Sequence, residues 1–523
     1  DFWKTDRLSP KLGLKAVDMF QAVGDGRIKA LWVIHTNPAV SMPDADNVVA
    51  AMKNCDFVVV SDITSATDTA RLADVLLPAA AWAEKTGTVT NSDRTISRQR
   101  AALPTPGAAR ADWDILADVG RRMGWQEAFD FDSAADIFRE YADMSRLGTV
   151  FGKDFDISAL STIDDAAYDA LIPQRWPITD TRKGGRFFAD GQFFTPDGKA
   201  RMLPLTYRAP VAKTGKRYPL RLNTGRIRDQ WHTMTRTATS ARLSAHLAEP
   251  FVEIHPEDAA AAGITESMLV HMKSPAGSGI LRAMITDRVR QGDVFAPMHW
   301  TGETAPSGRI DALVPPVVDP VSGQPESKAG VVSVAPFGAE WYGFAVASDH
   351  VTPNCDYWAR AKTRSGVRLE LAGAVTPKDW EAEARRMFNL PDAPAQVMID
   401  TTTGVARLAF YEGTVLKAAL FVSKTPVAVM RDYLVTLPNT DAPHAIAGVS
   451  PADQPDPGPV VCSCFNVGVN TIVNAIETDG LMSVDAVGKA LQAGTNCGSC
   501  RPEIADLLAK IREAQATAKE AAE

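Results

Sequence analysis

Four cysteines crowd into 39 residues near the carboxyl end of this chain of 523 residues. The first pair has the spacing Cys-x-Cys, the second has Cys-x-x-Cys, and 32 residues separate them: Cys462, Cys464, Cys497 and Cys500. Four thiolates from two short loops can hold a [2Fe–2S] cluster or a tetrahedral zinc ion. The spacing predicts a metal site, with a cluster favoured over zinc and a pair of disulfides as the alternative.

Helical patterns surround these cysteines. The segments Asn470–Ile476 and Val484–Leu491 lie between the two pairs and would bring them together. Cys500 directly precedes Arg501-Pro502-Glu503, a helix start whose dipole favours a negatively charged group. We therefore expect a small, mostly helical module.

Composition excludes several classes of protein. The chain is 45% hydrophobic and 23% charged, as in ordinary globular proteins with ample core. Its net charge of -8 argues against a nucleic-acid partner, and no apolar run approaches the ~18 residues of a membrane span. Cys55 and Cys355 are isolated and are expected to be bystanders. Asp1 is not a Met and does not open a signal peptide, so we expect a fragment or a processed product.

The first part of the chain, residues 1–145, alternates strand and helix patterns. The apolar runs Ile28–His35 and Cys55–Val60 predict buried parallel strands, with a helix over Asp44–Asn54 between them. A second helical stretch is predicted from Asp68 through Leu77. This order is typical of a doubly wound α/β domain.

Polar residues follow both predicted strands. Asn37 follows the first strand, and Ser61 and Asp62 follow the second. Open α/β sheets bind ligands at these carboxyl ends, and an acid there suits a ribose or a guanine. The alternative is structural, with Asn37 in a turn and Asp62 capping a helix.

The rest of the chain changes character several times. Residues 146–205 are a connecting segment with a predicted hairpin over Arg186–Arg201. Residues 206–340 carry short β-rich runs that predict a barrel or sandwich: Pro219–Asn223, Phe251–Ile254, Met268–Lys273, Gly279–Thr286 and Asp293–Met298. Residues 341–437 form a mixed α+β unit, with a predicted hairpin over Arg407–Ser423 followed by a helix to Leu437. Residues 438–460 are a Pro-rich linker, and residues 461–523 are the cysteine module.

A basic stretch interrupts this acidic chain. From Lys199 to His246 there are eleven Lys and Arg residues and one acid, Asp229. At its centre, the loop Asn223–Thr233 can offer backbone N–H groups and guanidinium donors to phosphate. Trp231 could stack on a flat ring. The alternative is a solvated basic face.

Motifs over residues 15–335 resemble the molybdopterin oxidoreductase family, in family order. They are Thr36-Asn37-Pro38, Ser61-Asp62, Ala73–Asn91, Asp93-Arg94, Ala111-Asp112-Trp113, Asn223–Thr233, Phe295–Trp300 and Asp319–Lys328. The resemblance implies a molybdenum bis(molybdopterin guanine dinucleotide) cofactor and a double-psi β-barrel.

The same resemblance implies two sets of cofactor-binding residues. One contacts a guanylyl pterin: Asn37, Ser61, Asp62, Lys85 and Asp112. The other cradles or approaches pterin and phosphates: Thr224, Gly225, Arg226, Gln230, Trp231, His232, Thr233, Met298 and Lys328. Lys85 could instead be an exposed lysine. Asp311 stands where related enzymes often carry Asn and is left out.

Residues 461–510 resemble the bacterioferritin-associated-ferredoxin-like [2Fe–2S] domain, which implies that the four clustered cysteines hold the cluster and carry single electrons. Residues 341–437 weakly resemble a segment of flavin-dependent reductases, with no chemistry assigned.

A chain that carries both resemblances is similar to the later part of bacterial assimilatory nitrate reductases. The resemblance implies a cytoplasmic enzyme that reduces nitrate with electrons from a flavoprotein reductase or ferredoxin. The molybdenum ligand and a [4Fe–4S] cluster are expected upstream, so no catalytic residue is assigned within this chain. The alternatives are a formate dehydrogenase or another molybdopterin oxidoreductase, and a non-catalytic electron-transfer or zinc-binding module.

Overall fold

A three-stranded parallel sheet organises the first part of the chain. The computed structural model describes residues 2–451 and 455–520. The sheet contains Ala30–Ile34, Phe57–Asp62 and Val75–Pro78, in that order. The helices Ala16–Gly24 and Ala45–Lys53 share a hydrophobic core with it. Both predicted strands and the helix between them are confirmed.

The helix predicted from Asp68 through Leu77 is wrong. Only a short 3-10 turn forms, at Ala70–Leu72, and the chain then enters the third strand. The backbone N–H of Asp74 donates to Val58 at 2.9 Å, which starts the pairing of this strand with its neighbour. Pairing with a strand already in place therefore overrides the local helical pattern.

Residues 87–175 form helices and a small antiparallel sheet. The sheet joins Gly87–Thr90, Thr95–Gln99 and Gln174–Arg175. The helices are Pro38–Ser41 in the first part, then Asp112–Arg122, Ala134–Ser145, Leu147–Val150 and Asp165–Asp169. The predicted hairpin at 186–201 is wrong, because this segment forms turns instead of strands. Its phenylalanines pack on one another, and Phe187 lies against the guanidinium of Arg94, 3.6 Å from the ring centroid.

A closed six-stranded barrel forms the centre of the chain. Its strands are Leu220–Gly225, Phe251–Ile254, Leu269–Lys273, Ser278–Ile285, Asp293–Pro297 and Gly330–Pro336, with the helix Pro256–Ala261 after the second. All five β-rich runs are confirmed as strands, and the sixth, which was not predicted, closes the barrel. Alternate residues point inward and fill its core.

A six-stranded antiparallel sheet follows the barrel. In spatial order it contains Tyr357–Lys362, Val367–Gly373, Trp341–Ala347, Val415–Ser423, Val405–Glu412 and Ala395–Asp400. The predicted hairpin is confirmed, and its turn uses Gly413 at φ +61°. The helices are Trp380–Phe388 and Arg431–Leu434, so the helix expected to reach Leu437 is shorter than predicted.

The four-cysteine module closes the chain. A short pair of strands, Val460–Cys462 and Val467–Gly468, precedes the helices Val469–Asp479, Val484–Leu491 and Arg501–Glu520. The predicted helical segments are confirmed. The chain is thus a mixed α/β protein with a closed barrel and several sheets. Among the described residues, no helix combines the length and the apolar character that crossing a membrane requires.

Candidate cofactor and cluster sites

Asn37 lies at the end of the first parallel strand, where its side chain is buried. Its Oδ1 accepts hydrogen bonds from Thr69 Oγ1 at 2.7 Å and from the Thr69 backbone N–H at 3.2 Å. Its Nδ2 is buried without a hydrogen-bond partner. A buried donor without an acceptor costs free energy, so this amide is suited to a ligand acceptor at the strand end.

Ser61 and Asp62 end the neighbouring strand, as predicted. Ser61 Oγ accepts a hydrogen bond from Trp32 Nε1 at 2.9 Å. Asp62 accepts from the backbone N–H of Ile63 at 2.7 Å and from Thr67 Oγ1 at 3.2 Å. The carboxylate is therefore held in place beside Asn37 by the loop that follows its own strand.

Lys85 and Asp112 come together as an ion pair beside these strand ends. Lys85 Nζ lies 2.5 Å from Asp112 Oδ2, and both side chains are largely buried. His35 Nε2 lies 2.8 Å from the other carboxylate oxygen. Lys85 is thus not a free surface lysine. His35, which the sequence reasoning missed, adjoins Thr36-Asn37-Pro38 and could have been found from that position.

His299 supports the predicted loop at the end of the first barrel strand, and its side chain is fully buried. His299 Nε2 accepts the backbone N–H of Ile227 at 3.0 Å, so its Nδ1 carries the proton and donates to the His232 carbonyl at 2.7 Å. Burial lowers the pKa of His299 and keeps the ring neutral, as this pattern requires. Sequence reasoning missed this residue, although it lies inside the Phe295–Trp300 motif.

The start of the same loop is fixed by close packing. A Cβ at Gly225 would lie 2.6 Å from the Phe295 ring, so this position accepts only glycine without a shift. Thr224 Oγ1 donates to the Ser327 carbonyl at 2.8 Å, and Lys328 Nζ donates back to the Thr224 carbonyl. The Met298 N–H donates to the Gly225 carbonyl at 2.9 Å, which places all the predicted barrel positions near this loop or on it.

The outer part of the loop offers both a polar and an aromatic group. Gln230 is buried, and its Oε1 has no hydrogen-bond partner. Trp231 is 53% exposed, with the Arg226 guanidinium 5.7 Å from its ring centroid. His232 packs edge-on against Trp231, and Thr233 follows it. An unpaired buried oxygen beside an exposed ring and a cation fits a ligand that carries a flat ring and phosphates.

Asp311 is an unexpected buried acid near this site. Burial raises its pKa to about 8, although the nearby charge of Lys328 acts in the opposite direction. No hydrogen bond or ion pair joins the strand-end residues to the 224–233 loop within the described parts of the chain. The structure therefore leaves two separate sets rather than one continuous site, with Asn37 Nδ2 unpaired in the first and Gln230 Oε1 unpaired in the second.

The four clustered cysteines lie as two pairs. Cys464 Sγ and Cys497 Sγ are 3.4 Å apart, and Cys462 and Cys500 are both buried in the core of the module. In residues 2–451 and 455–520, no three Cys, His, Asp or Glu side chains gather closely enough to hold one metal ion. Two thiolates per iron is what a four-cysteine [2Fe–2S] cluster needs, whereas a single zinc ion needs all four around one point. The pairing favours the cluster.

The other two cysteines, Cys55 and Cys355, pack against hydrophobic cores outside the cysteine module. Cys355 donates to the Tyr357 carbonyl at 3.1 Å, and burial raises the pKa of its thiol to about 12. Cys55 is half-buried beside the second parallel strand, with its Sγ 3.7 Å from the Phe57 carbonyl. Neither lies near the clustered cysteines in the chain fold.

The barrel loop and the cysteine module are bound to each other through Arg228. Its Nη2 donates to the carbonyl of Val461, the residue before Cys462, at 2.6 Å. Its Nη1 lies 3.3 Å from Glu503 Oε2, three residues after Cys500. Arg228 belongs to the predicted phosphate-binding loop, so one side chain connects the two candidate sites.

Comparison with known protein families assigns three regions of this chain. Residues 5–122 match the family described as molybdopterin oxidoreductase, and residues 220–331 match the molydopterin dinucleotide binding domain. These two regions are therefore similar to domains of molybdopterin oxidoreductases. Residues 460–510 match the BFD-like [2Fe–2S] binding domain. The cofactors of the chain are accordingly a molybdopterin dinucleotide and a [2Fe–2S] cluster.

Curated relatives of this chain carry two kinds of name. A nitrate reductase from Klebsiella oxytoca is 38% identical over 97% of this chain and 58% of its own length. The assimilatory nitrate reductase catalytic subunit of Bacillus subtilis is 35% identical over 62% of this chain and 45% of its own. F420-dependent formate dehydrogenase 1 subunit alpha of Methanococcus maripaludis is 35% identical over 64% and 46%. The chain thus spans about half of the length of these relatives, from 45% to 58%.

Proposed function

We propose that this chain is part of a molybdenum-dependent nitrate reductase of nitrogen assimilation, with electrons entering through the cysteine module. The observation that carries the proposal is the bond from Arg228, in the loop proposed to cradle the pterin, to Val461 beside Cys462. It ties the proposed point of electron entry to the proposed cofactor loop. The overall reaction joins nitrate with two electrons and two protons to give nitrite and water.

Each candidate site has a role in this proposal. The strand-end set holds one guanylyl pterin, and the barrel loop cradles the other pterin and its phosphates. The four clustered cysteines are the cluster ligands, two to each iron. When bound, the molybdenum cofactor supplies oxygen-atom transfer and the [2Fe–2S] cluster supplies single-electron transfer. The [4Fe–4S] cluster and the molybdenum ligand belong, in this proposal, to residues outside this chain.

The chain's own residues bind and orient. His299 fixes both ends of the loop, so its backbone N–H groups and Arg226 hold a constant direction toward phosphate. Gly225 lets the backbone approach a ligand closely. Asn37 and Gln230 each present one buried unpaired atom, and these are the groups we expect a dinucleotide to satisfy.

The proposal also covers the arrangement of the parallel sheet and the barrel, the domain boundaries, the electron donor and the cellular location. We infer a doubly wound arrangement for the parallel sheet and a double-psi arrangement for the barrel. The domain boundaries are those given by the sequence. The donor is a flavoprotein reductase or a ferredoxin, and the location is cytoplasmic.

Formate dehydrogenase is the second candidate, because three relatives carry that name over 57–64% of the chain. The relative that matches over 97% of the chain, and so through the cysteine module, is named a nitrate reductase and supports the first candidate. The test is an assay of the cofactor-loaded protein containing this chain, with a reduced dye and nitrate, and with an oxidised dye and formate. We expect nitrite from nitrate. Formate oxidation without nitrate reduction would overturn the proposal.

A further inference from the structure

A cleft of about 580 Å³ lies where the barrel, the antiparallel sheet and the cysteine module meet. It is separate from the strand ends and from the 224–233 loop, since neither contributes to its lining. Arg242 lines it from the barrel side, Arg364 from the turn between two strands of the sheet, and Cys464 from the module. Its volume lies within the ~300–1,000 Å³ of small-molecule sites.

The cleft is strongly positive. Four cations line it against one carboxylate, that of Asp432, and they are Arg242, Lys362, Arg364 and Arg368. The first three form no ion pair with any described residue. Burial raises the pKa of Asp432 above its ordinary value, although the charge of Arg368 acts in the opposite direction. The cleft therefore carries surplus positive charge in a protein whose net charge is -8.

Three residues that line the cleft also carry unpaired buried polar atoms. Of the eight buried side-chain atoms without a hydrogen-bond partner in the described chain, three belong to these residues: Thr363 Oγ1, Arg368 Nε and Ser463 Oγ. Arg368 is anchored through Nη2 to Glu370 at 2.8 Å, so its position is fixed while Nε stays unpaired. Such atoms are costly unless a bound group completes their hydrogen bonds.

We propose that this cleft binds a small phosphate ester that carries a flat ring, a ligand of the nucleotide class. Hydroxyl and guanidinium donors with surplus positive charge match the several oxygens of a phosphate better than one carboxylate. Phe465 lines the same cleft, is 39% exposed, and offers the ring a face.

The position of the cleft also gives a spectroscopic signature. Cys464 lines it, so a bound phosphate would lie beside one of the proposed cluster ligands. Added negative charge disfavours the more reduced cluster. This second consequence rests on the proposed function, whereas binding itself does not.

The test is calorimetric titration of the cofactor-loaded protein with adenosine monophosphate, pyrophosphate and citrate. Filled pterin sites do not compete for these probes. We expect one molecule of each phosphate compound to bind, citrate to bind at least tenfold more weakly, and Arg242→Gln with Arg364→Gln to weaken phosphate binding at least tenfold. Both arginines are exposed, so the double variant is expected to fold.

Two further variants sharpen the assignment. Phe465→Ala should weaken adenosine monophosphate and leave pyrophosphate unchanged. Arg290→Gln, an exposed arginine elsewhere on the barrel, should change neither. The midpoint potential of the cluster should fall when pyrophosphate is added. Absence of phosphate binding, equal affinity in the double variant, or citrate binding as tightly as phosphate would each overturn the proposed site, whichever reaction the enzyme catalyses.

Discussion

His246 Nδ1 lies 2.7 Å from Asp229 Oδ2, and the same ring reaches across to Glu503, with its Nε2 3.4 Å from Oε2. Arg228 contacts both carboxylates, so four charged groups close a ring between the barrel loop and the cysteine module. Burial lowers the pKa of His246, but the hydrogen bonds to the two carboxylates outweigh it and raise the pKa above its ordinary value. This cluster orients the module against the loop.

We expect His246→Gln to destabilise the protein at pH 6 by about 1.5–3 kcal/mol, the usual contribution of hydrogen bonds to charged groups. A raised pKa means that the stabilising charge is present below pH 6.5 and is lost as the pH rises through the folded-state value. The difference from the unmodified protein should therefore shrink by pH 9. Denaturation at both pH values, with the exposed His444→Gln as control, measures it. A constant difference would contradict the charged bridge.

His299→Ala should lower both stability and molybdenum content. It leaves the Ile227 N–H and the His232 carbonyl without partners, at about 1–3 kcal/mol for each buried group. Because the pKa of His299 is lowered, its contribution is present above pH 6.5 and is lost as the pH falls through the folded-state value. Metal analysis and denaturation at pH 5 and 7 test this. Unchanged molybdenum content would show that cofactor binding does not depend on the two hydrogen bonds from His299 to the loop.

Cys464→Ser should abolish the visible absorption of the module and reduce its iron content. The serine hydroxyl is a poor replacement for the thiolate that the cluster requires. Cys55→Ser is the matched control, because that thiol lies away from the module and should leave iron unchanged. Absorption spectra and iron and zinc analysis of both variants decide the question. Zinc with no visible bands in the unmodified protein would refute the cluster.

Lys85→Met should weaken retention of the guanylyl pterin. The substitution leaves Asp112 facing His35 alone and removes a charge-assisted donor near Asn37. We expect about a tenfold loss of affinity, which corresponds to ~1.4 kcal/mol. Molybdenum remaining after dialysis measures this, and Lys53→Met at an exposed helix end is the control. Equal retention in the two variants would remove Lys85 from the site.

Asp311→Asn should stabilise the protein at high pH. The pKa of about 8 means that folding favours the protonated acid, so stability falls as the pH rises from 4 to 8 and stays low above it. Asn does not titrate, so the variant should gain several kcal/mol over the unmodified protein by pH 8.5 and much less at pH 5. Denaturation curves across this range test it. Parallel curves would mean that the carboxyl ionises without penalty.

Local patterns in the sequence predicted a large part of this fold. Short β-rich runs separated by turns between 219 and 298 predicted five strands of a barrel or sandwich, and all five form strands of the barrel. The helical patterns beside the cysteines also matched the structure. In both cases neighbouring residues contain the information. The local patterns failed where the pairing partner is distant in sequence. Val75–Pro78 forms a strand because it pairs with Phe57–Asp62.

The sequence by itself determined the two chemistries of this protein. The spacing of four cysteines predicted a metal site, and the basic loop around Gly225 predicted phosphate binding, because both properties belong to residues close together in the chain. Only the tertiary structure decided how they connect. Arg228 and Val461 are 233 positions apart, and His299 meets the loop from another barrel strand end. Packing brings such residues into contact, and no local pattern records which distant carbonyl or imidazole a side chain will meet.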